Sequence, residues 1–146
     1  MTKLTEHFSL EELIRSDKAK SLNIENVPSD KEKANLKRLC EVLEKVRTVL
    51  GNKPINISSG FRNTEVNRAV GGVWNSAHLT GEAADFTCSS FGTVKEVAEA
   101  IAPHVEEFGI DQLIHEYSNW IHLGISKEPR HAVFTLNSSG YHKGIV

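Results

Sequence analysis

Cysteine is nearly missing from this chain, with only Cys40 and Cys88 among 146 residues. Two thiols cannot build a disulfide scaffold, and their separation is unlike that of a Cys-x-x-Cys zinc or redox motif. Cys40 falls within an apolar helical stripe, and both read as small buried hydrophobes. An excess of one charge is missing too. With 17 basic residues against 19 acidic ones, the formal net charge is -2, so there is no basic footprint and nucleic acid is not an expected partner. No apolar run is long enough to span a bilayer, which argues against membrane insertion. Met1–His7 lacks the apolar core of a secretory signal, so synthesis in the cytoplasm is expected. No repeat or low-complexity tract divides the chain, and residues 1–146 read as a single domain large enough to bury a core.

Helix start signals are plentiful. Ser9-Leu10-Glu11-Glu12, Ser29-Asp30-Lys31-Glu32 and Thr93-Val94-Lys95-Glu96 each have the form of a capping box, in which the hydroxyl and the carboxylate satisfy each other's backbone N–H groups. Behind the second box, Leu36, Leu39, Cys40, Leu43, Val46 and Leu50 recur at helical spacing, and Gly51 ends the helix. Ser16 to Pro28 shows no sustained period and reads as a loop. A short helix is expected from about Asn63 to Val70, closed by Gly71-Gly72, and Pro103 should end the helix that starts at Thr93. Alternation predicts strands at Pro54–Ser58, Glu82–Thr87, Asp111–Tyr117, Trp120–Ile125 and Ala132–Leu136, the last three as antiparallel structure. The fold class is therefore α+β, with helices packed on one face of a mostly antiparallel sheet.

The stretch Ser76 to Phe86 carries the clearest chemistry. His78 lies in a loop of small and polar residues, and Gly81 permits a tight turn before a strand that holds Asp85. Ala84 and Phe86 take one face of that strand, so Asp85 points away from the core. Downstream, Ile121, Leu123 and Ile125 alternate with Trp120, His122 and Gly124, which puts His122 on the face opposite the core. A His, Asp, His set suits zinc, and stopping at three ligands leaves a position for water, as in hydrolytic sites.

These residues together resemble the zinc D-Ala-D-Ala carboxypeptidases and related bacteriophage endolysin peptidases, whose fold is shared with the Hedgehog signalling domain. The resemblance is carried by Ser76, His78, Gly81, Ala83 and Asp85, and by Trp120 with His122. It extends to Ser59-Gly60-Phe61-Arg62, Val70-Gly71-Gly72 and Phe8–Leu13, and so covers most of the chain. It implies a Hedgehog/DD-peptidase-like fold, Zn2+ held by His78, Asp85 and His122, and hydrolysis of peptidoglycan stem peptides. Phage or prophage origin is implied, with action at the bacterial wall after release or within a virion, alongside virion or lysis partners.

The resemblance also implies that Arg62 recognises a substrate carboxylate, with Ser76 or Asn67 as further polar contacts. Several relatives carry a glutamate three residues before the last histidine ligand, but here Asn119 stands there, and an amide is no base at neutral pH. Glu116 is the expected general base if it lies opposite His122. A one-residue change of register would put His115 there instead. The alternative class is a non-catalytic, zinc-stabilised murein-binding or virion module.

Overall fold

The computed structural model describes residues 2–146. Its helices begin where side chains can satisfy the first free backbone N–H groups. Helix α1 (Leu10–Ile14) starts at Ser9, whose hydroxyl accepts from the Glu12 N–H while the Glu12 carboxylate accepts from the Ser9 N–H. Helix α2 (Asp17–Ser21), capped by Ser16, lies in the segment expected to be a loop; its five residues are too few to display a hydrophobic period. Helix α3 (Asp30–Val49) has the second capping box, and Leu36, Leu39, Cys40, Leu43 and Val46 form its buried stripe. Strand β1 (Asn56–Ser59) is followed by α4 (Thr64–Ala69), with Asn63 as its cap. Then come β2 (Ala83–Thr87) and α5 (Val94–Ile101), the latter opened by the Thr93 and Glu96 box. The chain ends in β3 (Ile110–Glu116), β4 (Trp120–Ile125), β5 (Ala132–Asn137) and β6 (Gly140–Lys143).

The six strands form one sheet in the order β1-β2-β4-β3-β5-β6. All pairings are antiparallel except that of β3 with β5, which corrects the expectation of antiparallel pairing for β5. The reason is topological. Strand β4 has both edges occupied, by β2 and β3, so β5 cannot pair with it and takes the free edge of β3 instead. A chain that reverses after β4 then runs parallel to β3. Strand β6 escaped the sequence reading because Gly140-Tyr141-His142-Lys143 shows little apolar alternation.

The sheet has two chemically different faces. Ala84 and Phe86 of β2, Leu113 of β3, and Ile121 and Leu123 of β4 join Leu13 of α1, the α3 stripe, and Val97, Ala98 and Ile101 of α5 in one core. The other face carries Asp85, Ile114, Glu116, His122 and Gly124, which line a groove of about 910 Å3 flanked by residues of α4 and the loop after it. Among the described residues, no helix is long and apolar enough to cross a membrane.

His115 is a polar intrusion on the core side. It is buried, and among the described residues neither ring nitrogen has a hydrogen-bond partner. Burial pushes its pKa below the ordinary 6.5, aided by Lys95 and opposed by Glu99 on α5. The unfolded chain therefore binds the proton more readily, and the stability associated with this residue is complete above pH 6.5 and lost as pH falls through the folded pKa. His115→Leu is expected to remove that loss. Urea midpoints at pH 7.5 and pH 5 should differ less in the variant than in the wild type; an equal or larger difference would contradict this account.

Candidate metal centre

His78, Asp85 and His122 come together from three differently built segments. His78 sits in a 3-10 turn, Ala77–Thr80, rather than in irregular loop. Ser76 caps that turn by accepting from the His78 N–H at 3.2 Å, and Gly81, at φ 77°, closes it in a left-handed conformation. Asp85 on β2 is the direct register partner of His122 on β4. Each lies on the face opposite Phe86 and Ile121, so strand alternation aims both into the groove.

The three donor groups lie within 4.8 Å of one another. Asp85 Oδ1 is 2.9 Å from His122 Nδ1 and 3.3 Å from His78 Nε2. A carbonyl can only accept, so the 2.6 Å contact between His78 Nδ1 and the Gly60 oxygen places the ring proton on Nδ1. That leaves the Nε2 lone pair directed at the cluster, the arrangement by which outer hydrogen bonds orient a metal-binding histidine. Nε2 is buried with no hydrogen-bond partner among the described residues. Burial holds the His78 pKa below its ordinary value despite Asp85, keeping the imidazole neutral. Burial alone would raise the Asp85 pKa, yet the hydrogen bond with His122 and the neighbouring His78 ring hold the carboxyl far below the usual range. Two imidazole nitrogens and a deprotonated carboxylate fit Zn2+, which takes ligands of these types in that state.

The segment joining β1 to α4 supports this cluster. The Arg62 N–H donates to the His78 carbonyl at 3.0 Å, next to the Gly60 carbonyl that orients the ring. The Arg62 guanidinium donates to Ser59 Oγ at 3.0 Å, to Asn67 Oδ1 at 3.1 Å and to Asp85 Oδ2 at 3.5 Å. Arg62 therefore contacts the carboxylate of the cluster itself, with its side chain only 14% exposed. Gly60 and Ser59 had no assigned role in the sequence reading, although they belong to the Ser-Gly-Phe-Arg motif that flagged Arg62.

A side chain at position 60 would be driven into the Leu13 carbonyl, with its carbon atom at 3.0 Å. Gly60→Ala is expected to cost about 1–3 kcal/mol of stability through overpacking. Because it displaces the carbonyl that orients His78, it should also weaken zinc binding by about 10- to 100-fold. Denaturant unfolding and a chelator-competition titration measure the two effects separately.

Glu116 lies on the groove face, but not directly across from His122. The register pairs Glu116 with Trp120 and Ile114 with His122, through a turn in which Tyr117 and Ser118 both take positive φ. The displacement is two residues, so the face is the same. His115 pairs with Ile121 and faces the core, away from the cluster. Burial raises the Glu116 pKa and the Asp85 charge adds to it, while His122, the Trp120 indole and Arg62 pull the other way. A half-buried carboxyl in this setting can exchange a proton closer to neutrality than a solvated one.

A Peptidase M15 family model matches residues 6–124, a span that includes every member of the cluster. The chain belongs to the Peptidase M15 family. One curated relative is the zinc D-Ala-D-Ala carboxypeptidase of Streptomyces albus G, 44% identical over 50 residues. The match covers 34% of this M15 chain and 20% of the relative, so the chain aligns with about a fifth of that protein's length.

Proposed function

We propose that this chain is a zinc-dependent peptidase that hydrolyses peptidoglycan stem peptides, as a D,D-carboxypeptidase or an endopeptidase, with a Hedgehog/DD-peptidase-like fold. The observation that carries this reading is the cluster of buried His78 and Asp85 with half-buried His122 on the floor of an open groove, with Glu116 on the same sheet face. The relative's activity on D-Ala-D-Ala and the family match support the choice of substrate.

Bound zinc would supply Lewis acidity and lower the pKa of water to about 7. The residues of the chain have separate tasks. Glu116 takes a proton from the attacking water and delivers it to the leaving amine, a contribution of about 10²- to 10⁴-fold. Arg62 has five N–H donors, and those not engaged by Ser59, Asn67 and Asp85 can bind a substrate carboxylate. Ser76 lines the groove and its hydroxyl proton remains available to substrate, since the oxygen only accepts from the His78 N–H. Phage or prophage origin, with a role in lysis or virion entry, goes with this reading.

The deciding assay incubates the zinc-loaded chain with purified muropeptides and follows release of D-Ala or cleavage of a cross-link by mass spectrometry. Product from either substrate is the expected result. Full zinc occupancy without product from either would sink the peptidase reading and favour a non-catalytic, zinc-stabilised wall-binding module.

A further inference from the structure

Beside the metal centre the chain presents an apolar ridge to solvent. Within five positions, Val70 is 45% exposed, Val73 65% and Trp74 87%. Single exposed apolar residues are ordinary, but three so close in sequence at the edge of a cleft point to a contact surface. Val70, Gly71, Gly72, Val73, Asn75 and Ser76 all line the groove, so Trp74 projects from a segment that forms its rim.

This ridge is held in place. The Asn67 side chain donates to the Val73 carbonyl at 2.8 Å, the Gly72 N–H donates to the Asn67 carbonyl at 2.9 Å, and the Ser76 N–H donates to the Val73 carbonyl at 3.1 Å. Asn67 is buried and also accepts from Arg62, which in turn reaches Asp85. A Cβ on Gly72 would press on Asn67 Cγ at 2.8 Å and Arg62 Nη1 at 2.9 Å, so the backbone approaches this network as closely as glycine allows. The backbone on either side of Trp74 is thus tied, through Asn67 and Arg62, to the carboxylate of the metal cluster.

We propose that the Val70–Trp74 ridge docks the glycan strand from which the stem peptide hangs, with the Trp74 indole stacked on the apolar face of an N-acetylhexosamine ring. The inference rests on the peptidoglycan reading above. Asp85, Glu116, Gln112 and His122 make the groove floor polar, which suits a peptide. The ridge is apolar and suits the flat C–H face of a pyranose, whose hydroxyl rim stays in water. A stable contact with a second copy needs about 800 Å² per partner, more than three side chains on a short ridge provide.

The test uses the full chain and two readouts. In co-sedimentation with peptide-stripped glycan strands or chitin, Trp74→Ala should bind about three- to tenfold more weakly, as the loss of one aromatic contact implies, and Trp74→Tyr should retain most binding. In hydrolysis, Trp74→Ala should raise KM on stem peptides attached to glycan and leave free stem peptides unaffected. Equal effects on both substrates, or no effect on sedimentation, would overturn the proposal. So would concentration-dependent self-association of the wild type that Trp74→Ala abolishes. If the wild type hydrolyses neither substrate, the peptidase reading fails while the sedimentation arm still decides the docking. Because Trp74 is so exposed, its replacement leaves the fold intact, which near-equal urea midpoints would verify.

Discussion

Asp85→Asn should bind zinc more than 100-fold more weakly than the wild type and lose peptidase activity with it. The substitution keeps side-chain volume, so the packing around β2 is retained and the effect is chemical. A neutral amide oxygen is a poorer zinc ligand than a carboxylate, and Asp85 is the sole anionic member of the cluster. Loss of outer-shell partners alone costs about 10- to 100-fold, and replacing a ligand should exceed that. Asp85 also accepts from His122 Nδ1 at 2.9 Å and faces Arg62 Nη2 at 3.5 Å, so the charge loss relaxes the whole arrangement. Competition with a chromophoric chelator gives the affinity directly. Thermal unfolding offers a second readout: a 1,000-fold excess of zinc over its Kd should stabilise the wild type by about 4 kcal/mol, and the same zinc concentration should do far less for the variant. Wild-type affinity in Asp85→Asn would remove Asp85 from the ligand set.

What could be read from the sequence was local. The three capping boxes and the α3 stripe depend on side chains within one or two turns of each other, and all form as the spacing indicates. The facing of Asp85 and His122 was legible because alternation in their two strands puts each on the side away from Phe86 or Ile121, whereas His78, in a turn, joined them only through the motif. Pairing choices were less accessible. Nothing in Ala132–Asn137 states that the edges of β4 will be taken or that β5 will choose the β3 edge, where it runs parallel. The support of the site was hidden for the same reason. The Gly60 carbonyl orients a histidine eighteen positions away, and Arg62 joins Ser59, Asn67 and Asp85, partners that only the folded chain brings together.

Glu116→Gln should lower kcat by about 10²- to 10⁴-fold while leaving zinc stoichiometry unchanged. The amide is isosteric with the carboxylic acid but cannot accept a proton from water at neutral pH, so the variant isolates proton transfer from packing. Glu116 is separated from the cluster in sequence and pairs with Trp120 rather than His122, which is why zinc binding should survive. Its position still suits the task. Ile114, Glu116, Trp120 and His122 all line the groove, and the burial and Asp85 charge that raise the Glu116 pKa favour a group that returns its proton to a leaving amine. His115, on the opposite face, offers a direct control: His115→Leu should leave kcat within a few-fold of wild type, because its ring points into the core. Asn119, three positions before His122, lies in the turn and has only an amide to offer. Full activity in Glu116→Gln with intact zinc would therefore reject Glu116 as the base, and a large kcat loss in His115→Leu would mean that the face assignment fails to describe the working enzyme. A selective kcat loss in Glu116→Gln alone would tie proton transfer to the β3 end of the groove.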